Sequence, residues 1–131
     1  MDRFGDTLVL QCGTAGMEAY LPLLVEALDA VLEPACIVVK NDASVRALEG
    51  LPIYVRAEKG ELPTVLSLRE NGVDFQAPLA EGQKTGWFFD HRAARARMAP
   101  LAKGARVLDV FSYCGGWGVQ AAVAGAGEVT C

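Results

Sequence analysis

The stretch from Val107 to Gly118, VLDVFSYCGGWG, decides how the whole chain is interpreted. Residues 106–111 form a short apolar run that favours a buried strand, and one carboxylate, that of Asp109, lies inside it. The following glycines predict a tight turn, and the small and apolar residues 119–124 predict a helix. A strand that leads through glycines into a helix is how a parallel α/β sheet brings a nucleotide-like ligand close to its backbone.

The spacing of these glycines leaves the ligand open. Gly115, Gly116 and Gly118 do not give the G-x-G-x-x-G pattern of dinucleotide-binding folds. Glycine-rich turns also occur where they only connect a strand with a helix. Spacing alone is therefore equally compatible with a ligand loop and with an ordinary βα turn.

Composition narrows the class of protein. The chain has 131 residues, of which 52% are hydrophobic, enough to bury the core of a folded domain. Its formal charge of -4 provides no general basic surface, so any contact with nucleic acid must be local or lie elsewhere. The four cysteines form no C-x-x-C pair and there is one histidine, so we expect no zinc or other metal site. Without a signal-like start or a run long enough to span a bilayer, a reducing, cytoplasmic setting is expected.

The first part of the chain predicts a small α+β domain over residues 2–78. Residues 7–12 and 36–40 are typical of strands, and apolar residues at helical spacing from Met17 to Leu32 predict a long amphipathic helix between them. Pro22 is tolerable only near a first turn, so the regular part of this helix is expected to begin late. A short helix over residues 45–49 and strands over 53–57, 63–70 and 73–77 complete the domain. Asn71-Gly72 gives the clearest hairpin signal.

After residue 78 the character of the sequence changes. Residues 79–104 are expected to form a linker and a joint helix that Asp90 caps at its N-terminus. Residues 105–131 then predict a strand, a glycine turn, a helix and the beginning of a second strand. Parallel strands are normally covered on both faces, so we expect this chain either to be a fragment or to pair its open edge with another copy in a homodimer.

Two segments together resemble a known family. Residues 83–92, QKTGWFFDHR, resemble a motif in which Lys-Thr-Gly precedes aromatic residues and an Asp-x-Arg sequence. Residues 107–117, VLDVFSYCGGW, resemble a V-L-D-x-F-S-Y-T-G-G motif, with Cys114 in place of the threonine. Both motifs belong to the class I S-adenosylmethionine-dependent methyltransferases of large-subunit ribosomal RNA, and the closest resemblance is to the cytosine-C5 group. It implies an α+β central domain that positions RNA, followed by the first β-α-β part of a truncated Rossmann-like α/β domain.

The resemblance implies which residues surround S-adenosylmethionine. The small residues and backbone of the turn would approach its methionine part, and Asp109 would meet its ammonium group, unless that carboxylate only binds nearby backbone. Lys84 would help to close the cofactor pocket, unless it is a solvated loop lysine. Phe88 would stack on the adenine or the target base, unless it packs between domains. The full set of expected cofactor contacts comprises Lys84, Thr85, Gly86, Phe88, Asp109, Phe111, Ser112, Tyr113, Cys114, Gly115 and Gly116.

No catalytic residue is expected in this chain. Cytosine-C5 methylation begins with attack of a thiolate on the base ring, but the resemblance implies an attacking cysteine at a later strand end that is absent here. Cys114 instead replaces a threonine of similar size beside the cofactor. Contacts with ribosomal RNA are expected from an N-terminal PUA domain absent here or locally from Arg92 and Arg95, with Arg97 and Lys103 near them.

Two alternatives stay open. Related enzymes that methylate guanine N2 share both motifs, and an Asn/Asp-Pro-Pro-aromatic motif without a cysteine pair would distinguish them. The other alternative is a non-catalytic binding or assembly module, which predicts a stable homo-oligomer without affinity for S-adenosylmethionine.

Overall fold

The computed structural model describes residues 1–131 and separates into two compact units. The first unit contains residues 1–66 and 78–87, and the second contains residues 67–77 and 88–131. The sequence instead predicts boundaries after residues 78 and 104. The contacts assign the middle hairpin largely to the second unit, so the function expected for residues 2–78 as one RNA-positioning domain stays a prediction.

The first unit contains a four-stranded sheet with the order β1-β2-β3-β4. Its strands are β1 (Asp2–Phe4), β2 (Thr7–Leu10), β3 (Cys36–Asn41) and β4 (Tyr54–Lys59). Strands β2 and β3 are parallel, and the outer pairs are antiparallel. The sequence predicts β2, β3 and β4, but not the three-residue β1, which is too short for periodicity to mark it.

Helix α1 (Ala15–Leu32) connects the parallel strands and covers the core. One face of α1 packs against the sheet. It contributes Leu21, Val25, Leu28 and Leu32, which pack with Leu8, Leu10, Ile37 and Val39 of the sheet and with Cys12, which follows β2. All six residues of β3 are buried, as expected for a central strand that is covered on both faces. No helix of the structure is both long and apolar enough to cross a membrane.

The expected late start of this helix is wrong. Thr14 caps α1, because its side chain accepts a hydrogen bond from the Met17 N–H at 3.4 Å. Pro22 lies inside the helix at an exposed position. The backbone hydrogen bond that proline cannot donate is therefore lost at the solvated surface. A 3₁₀ helix, Ser44–Glu49, replaces the predicted short α-helix, and its Glu49 carboxylate accepts from the Ala15 N–H at 3.0 Å.

A partly buried polar cluster joins four elements of the first unit. The Glu18 carboxylate accepts hydrogen bonds from the Tyr54 hydroxyl at 2.6 Å, the Asn41 amide at 2.9 Å and the Arg46 guanidinium at 3.0 Å. Arg46 is fully buried, and it also donates to the Pro52 carbonyl at 2.9 Å. We call these four residues, Glu18, Asn41, Arg46 and Tyr54, the Glu18 network.

Strands β5 (Val65–Glu70) and β6 (Val73–Pro78) form a two-stranded sheet joined at Asn71-Gly72. This confirms the hairpin predicted from Asn-Gly between two strand-like runs. Asn71 has the left-handed φ of 52° that such a turn requires. Burial alternates along β5, and its buried residues are Leu66, Leu68 and Glu70.

The rest of the second unit is a β-α-β arrangement preceded by helical turns. A 3₁₀ turn (Phe89–His91) leads into α2 (Arg92–Met98) and then into a second 3₁₀ segment (Ala99–Ala102). Asp90 was expected to cap α2, and this is wrong: Asp90 lies inside the first turn, while His91 occupies the cap position of α2. Strands β7 (Arg106–Leu108) and β8 (Glu128–Thr130) pair in parallel on either side of α3 (Gly118–Val123), as predicted.

Candidate cofactor site

Asp109 is the first residue after β7, and its carboxylate is buried at the start of the turn. Only 8% of its surface is exposed. Its N–H donates to the Thr130 carbonyl of β8 at 2.8 Å, which extends the parallel pairing by one bond. Its Oδ2 accepts from the Gly118 N–H at 2.8 Å. The strand therefore ends on a fixed negative charge that is partly compensated by backbone.

Residues 109–118, the glycine loop, have an unusual backbone. Phe111 and Tyr113 have φ values of 61° and 53°, and Gly115 has 73°. Left-handed conformations are uncommon for side chains of this size, and such strain persists only where the surroundings fix it. The Gly115 N–H donates to the Ser112 carbonyl at 2.8 Å, which closes the turn. Backbone that alternates between right-handed and left-handed conformations can direct successive N–H groups into one concave site for an anion.

Gly118 is required by close packing where the loop enters α3. A Cβ at this position would lie 2.6 Å from the Cys131 Sγ and 3.2 Å from the Asp109 Oδ2. A larger residue would therefore require the Cys131 side chain to move and the Asp109 carboxylate to shift slightly. The cofactor contacts predicted from the sequence did not include Gly118. The signal that could have indicated it was the presence of a glycine at this position of the motif.

Aromatic side chains gather beside the loop within the second unit. The rings of Phe88 and Tyr113 meet edge to face with centroids 5.9 Å apart. His91 lies 6.0 Å from the Trp117 ring and 5.9 Å from the Phe88 ring. The structure thus brings the predicted contacts Phe88 and Tyr113 together, and adds His91 and Trp117. By contrast, the Phe111 side chain is 98% exposed.

Cys114 lies half-buried in the loop. Burial raises the pKa of its thiol, and a weaker opposing effect comes from a hydrogen bond with Tyr113. A raised pKa leaves the thiol protonated near neutral pH, which is the opposite of an activated nucleophile. The expected role of Cys114, in place of a threonine beside the cofactor, stays a prediction.

Arg95 does not form an RNA-binding surface, so that prediction is wrong. Its side chain is 4% exposed. It donates to both carboxylate oxygens of Glu70, at 2.6 and 3.0 Å, and to the Phe88 carbonyl at 2.8 Å. A guanidinium that is buried and paired in this way is not available to a phosphate. Arg92 is exposed, and its contact with RNA stays a prediction.

Three of the predicted cofactor contacts belong to the first unit. Lys84 is exposed, whereas Thr85 and Gly86 are buried. The Thr85 hydroxyl donates to the Asp2 carboxylate, so it takes part in holding β1. The roles of these three residues at a cofactor stay predictions.

A cavity of about 500 Å³ borders the other side of the motif. Asp109, Arg95 and Trp117 contribute to walls that otherwise come from apolar residues of β7, α2 and the 3₁₀ segment after it. Of the glycine loop, Asp109, Val110 and Trp117 line this cavity and residues 112–116 do not.

The residues present fit S-adenosylmethionine. Its ammonium group requires an anion, and Asp109 supplies a buried carboxylate at the strand end. Its methionine part requires close approach to backbone, which the Ser112–Gly115 turn allows. When bound, the cofactor supplies an activated methyl group. Asp109 and the loop backbone would hold it, with the Phe88 and Tyr113 rings beside them.

The chain is similar to known methyltransferases. A family model of S-adenosylmethionine-dependent methyltransferases matches residues 55–131. Ribosomal RNA large subunit methyltransferase I of Cronobacter sakazakii is 38% identical over 98% of this chain, and the chain spans about a third, 33%, of that relative. A structure from Streptococcus mutans described as a SAM-dependent methyltransferase has 26% identity and a TM-score of 0.78, covering 96% of this chain and 32% of that one.

A further structure, of the methyltransferase SMU.776, gives the same identity, TM-score and coverage, and it was solved in complex with S-adenosylhomocysteine (SAH). These similarities confirm the predicted fold class, a mixed α/β chain with the beginning of a Rossmann-like domain, and the predicted cofactor. The match of the family model over more than half of the chain shows that it belongs to the S-adenosylmethionine-dependent methyltransferases.

Proposed function

We propose that the protein methylates large-subunit ribosomal RNA, with carbon 5 of a cytosine as the acceptor. The observation that carries the proposal is the buried Asp109 carboxylate at the entrance to a strained glycine loop, in a chain similar to ribosomal RNA large subunit methyltransferase I. The choice of carbon 5 rests on the resemblance of the two motifs, residues 83–92 and 107–117, to the cytosine-C5 group.

The RNA contacts proposed for this chain are local. Its net charge of -4 excludes a general basic surface. Arg92 is exposed at the start of α2, and Arg97 and Lys103, which follow it in the sequence, are also exposed. With Arg95 buried against Glu70, these three cations are the ones that we assign to phosphate contacts.

Cys12, Cys36 and Cys114 do not supply the attacking thiolate. Burial raises the pKa of Cys12 and Cys36, which are both buried in the first unit, and it raises the pKa of Cys114. A group that must be deprotonated to attack a base ring needs a lowered pKa or a neighbouring base. We therefore assign the three of them to packing, and the chemistry of carbon 5 to a cysteine outside these residues.

The test is the nucleoside composition of large-subunit ribosomal RNA from a strain that lacks the gene. Mass spectrometry of RNA from the deletion strain should show the loss of one 5-methylcytidine, and the wild-type gene should restore it. An Asp109→Asn gene should fail to restore it. Loss of N2-methylguanosine or of a ribose-methylated nucleoside would overturn the cytosine acceptor. Unchanged nucleosides, with no SAH binding by the purified protein, would favour the assembly module.

A further inference from the structure

A buried ion pair at the tip of the β5–β6 hairpin has no part in the site described so far. Glu70 is 1% exposed, Arg95 is 4% exposed and Gln120 is 2% exposed. Arg95 holds the Glu70 carboxylate in bidentate geometry, and the Gln120 amide donates to the Glu70 Oε1 at 3.0 Å. Together with Asn71, we call these residues the Glu70 network.

The network extends from the hairpin to both helices of the second unit. Asn71 donates to the Gln120 side chain at 2.8 Å and to the Arg92 carbonyl at 3.1 Å. Arg95 belongs to α2, and Gln120 belongs to α3. Three separate segments of chain are therefore joined through one carboxylate.

The same network reaches the glycine loop. The Arg95 guanidinium lies 5.9 Å from the centroid of the Trp117 ring, and Trp117 occupies the position just before α3. The Arg95 side chain also donates to the Phe88 carbonyl, and the Phe88 ring contacts Tyr113 of the loop. The Arg95 side chain therefore contacts the loop directly at Trp117 and reaches Tyr113 through Phe88.

The loop needs such support from outside itself. Phe111 and Tyr113 hold left-handed conformations that large side chains avoid. Helix α3, which follows the loop, has six residues, which is too short to be stable without tertiary contacts. A bidentate arginine–carboxylate pair fixes orientation as well as distance, so it is suited to hold α3 and Trp117 in one place.

We propose that Glu70 and Arg95 are positioning residues for S-adenosylmethionine, because their ion pair fixes Trp117 and α3 and thereby the conformation of the glycine loop. The inference rests on the cofactor assignment and is independent of the RNA acceptor. Neither side chain needs to touch the cofactor.

The test separates positioning from stability with single and double variants. In Glu70→Gln, a buried guanidinium loses its charge partner, so both the unfolding midpoint and SAH affinity should fall. The Glu70→Gln/Arg95→Met variant removes both charges and keeps an acceptor for Gln120, so its unfolding midpoint should recover. Its SAH dissociation constant, measured by titration calorimetry or chemical-shift titration, should remain at least tenfold above that of the wild type. Affinity that returns together with stability would overturn the proposal.

A conservative variant and a matched control complete the test. Arg95→Lys keeps the charge but loses the bidentate geometry, so it should fold and still bind SAH about tenfold more weakly. Exchange of the amide hydrogens at residues 112–117 should be faster than in the wild type. Glu18→Gln disrupts the equivalent network in the first unit and should leave SAH affinity within twofold. Wild-type affinity and loop exchange in Arg95→Lys would contradict a positioning role.

Discussion

The two units each contain one carboxylate that accepts from a buried arginine, and the surroundings of the two carboxylates differ. In the first unit, Glu18 joins α1, β3, β4 and the 3₁₀ helix around a sheet whose central strand is fully buried. In the second unit, Glu70 joins the hairpin to α2 and α3, whose neighbours are a loop and two three-residue strands. The first network lies beside the apolar core of its unit, whereas the second lies beside the proposed cofactor site.

This difference indicates what each network can contribute. The first unit has an apolar core that determines its fold, so the Glu18 network contributes stability and fixes how the elements pack. The second unit has strained backbone and short elements, so the Glu70 network determines local geometry. Variants of the two units should therefore separate loss of stability from loss of binding.

The largest expected effect is at the site itself. Asp109→Asn removes the negative charge expected to face the cofactor's ammonium group, and it weakens the hydrogen bond from the Gly118 N–H. We expect SAH affinity to fall about a hundredfold, as for loss of a charge-assisted bond of about 2.7 kcal/mol. Titration calorimetry measures this. An affinity within threefold of the wild type would show that Asp109 only serves the backbone.

The next effect is a loss of stability without a loss of binding. Glu18→Gln leaves the fully buried Arg46 without its carboxylate partner, although Glu18 itself is partly exposed. We expect the free energy of unfolding to fall by about 2 kcal/mol, less than for a pair that is buried on both sides. Denaturant titration measures this change. If the same variant also lost SAH affinity, the proposed contrast between the two networks would be wrong.

A smaller effect is expected from pH. The hydrogen bond from Tyr54 has the largest effect on the pKa of Glu18 and lowers it. Burial opposes this, but the hydrogen bond and charge of Arg46 act with Tyr54, so the pKa lies below its ordinary value of 4.5. The folded state therefore prefers the ionised carboxylate, so this stability is present above that ordinary value and is lost as pH falls through the lowered one. Thermal unfolding between pH 6 and pH 3 should show a steeper loss in the wild type than in Glu18→Gln. Parallel curves would contradict this assignment.

The smallest effect is expected at an exposed ion pair. Arg106 and Glu128 join β7 to β8 at 2.9 Å, but 86% and 58% of their side chains are exposed. Arg106→Ala should change the free energy of unfolding by less than about 0.5 kcal/mol, because solvent screens such pairs. Denaturant titration of Arg106→Ala and Glu18→Gln under the same conditions compares the two changes in the free energy of unfolding. A loss as large as that of Glu18→Gln would show that burial does not distinguish these pairs.

Local pattern predicted most of the elements. Helical spacing marked α1, Asn71-Gly72 marked the hairpin, and the strand and glycines around Asp109 marked the β-α-β arrangement. The cofactor followed only from the resemblance of residues 83–92 and 107–117 to a known family. The errors lie where local signals compete. Pro22 suggested a late helix start, yet the helix begins at its cap Thr14, eight residues before the exposed proline.

Long-range pairing explains the remaining errors at the site. Arg95 looked like one of several helix cations, and its partner Glu70 lies 25 residues earlier in the chain. Nothing in the spacing of charges predicts such a pair, and only the fold brings Gln120 to the same carboxylate. The left-handed backbone at Phe111 and Tyr113 is likewise invisible to propensity, since neither residue type favours it.

The most direct test of the cofactor site is the amide NMR spectrum of the ¹⁵N-labelled chain during titration with SAH. The account predicts that the largest shifts occur at residues 109–118 and saturate with a single dissociation constant. Smaller shifts should follow in α3 through Trp117. An unchanged spectrum, or shifts that leave residues 109–118 unaffected, would contradict the assignment of the glycine loop as the cofactor site.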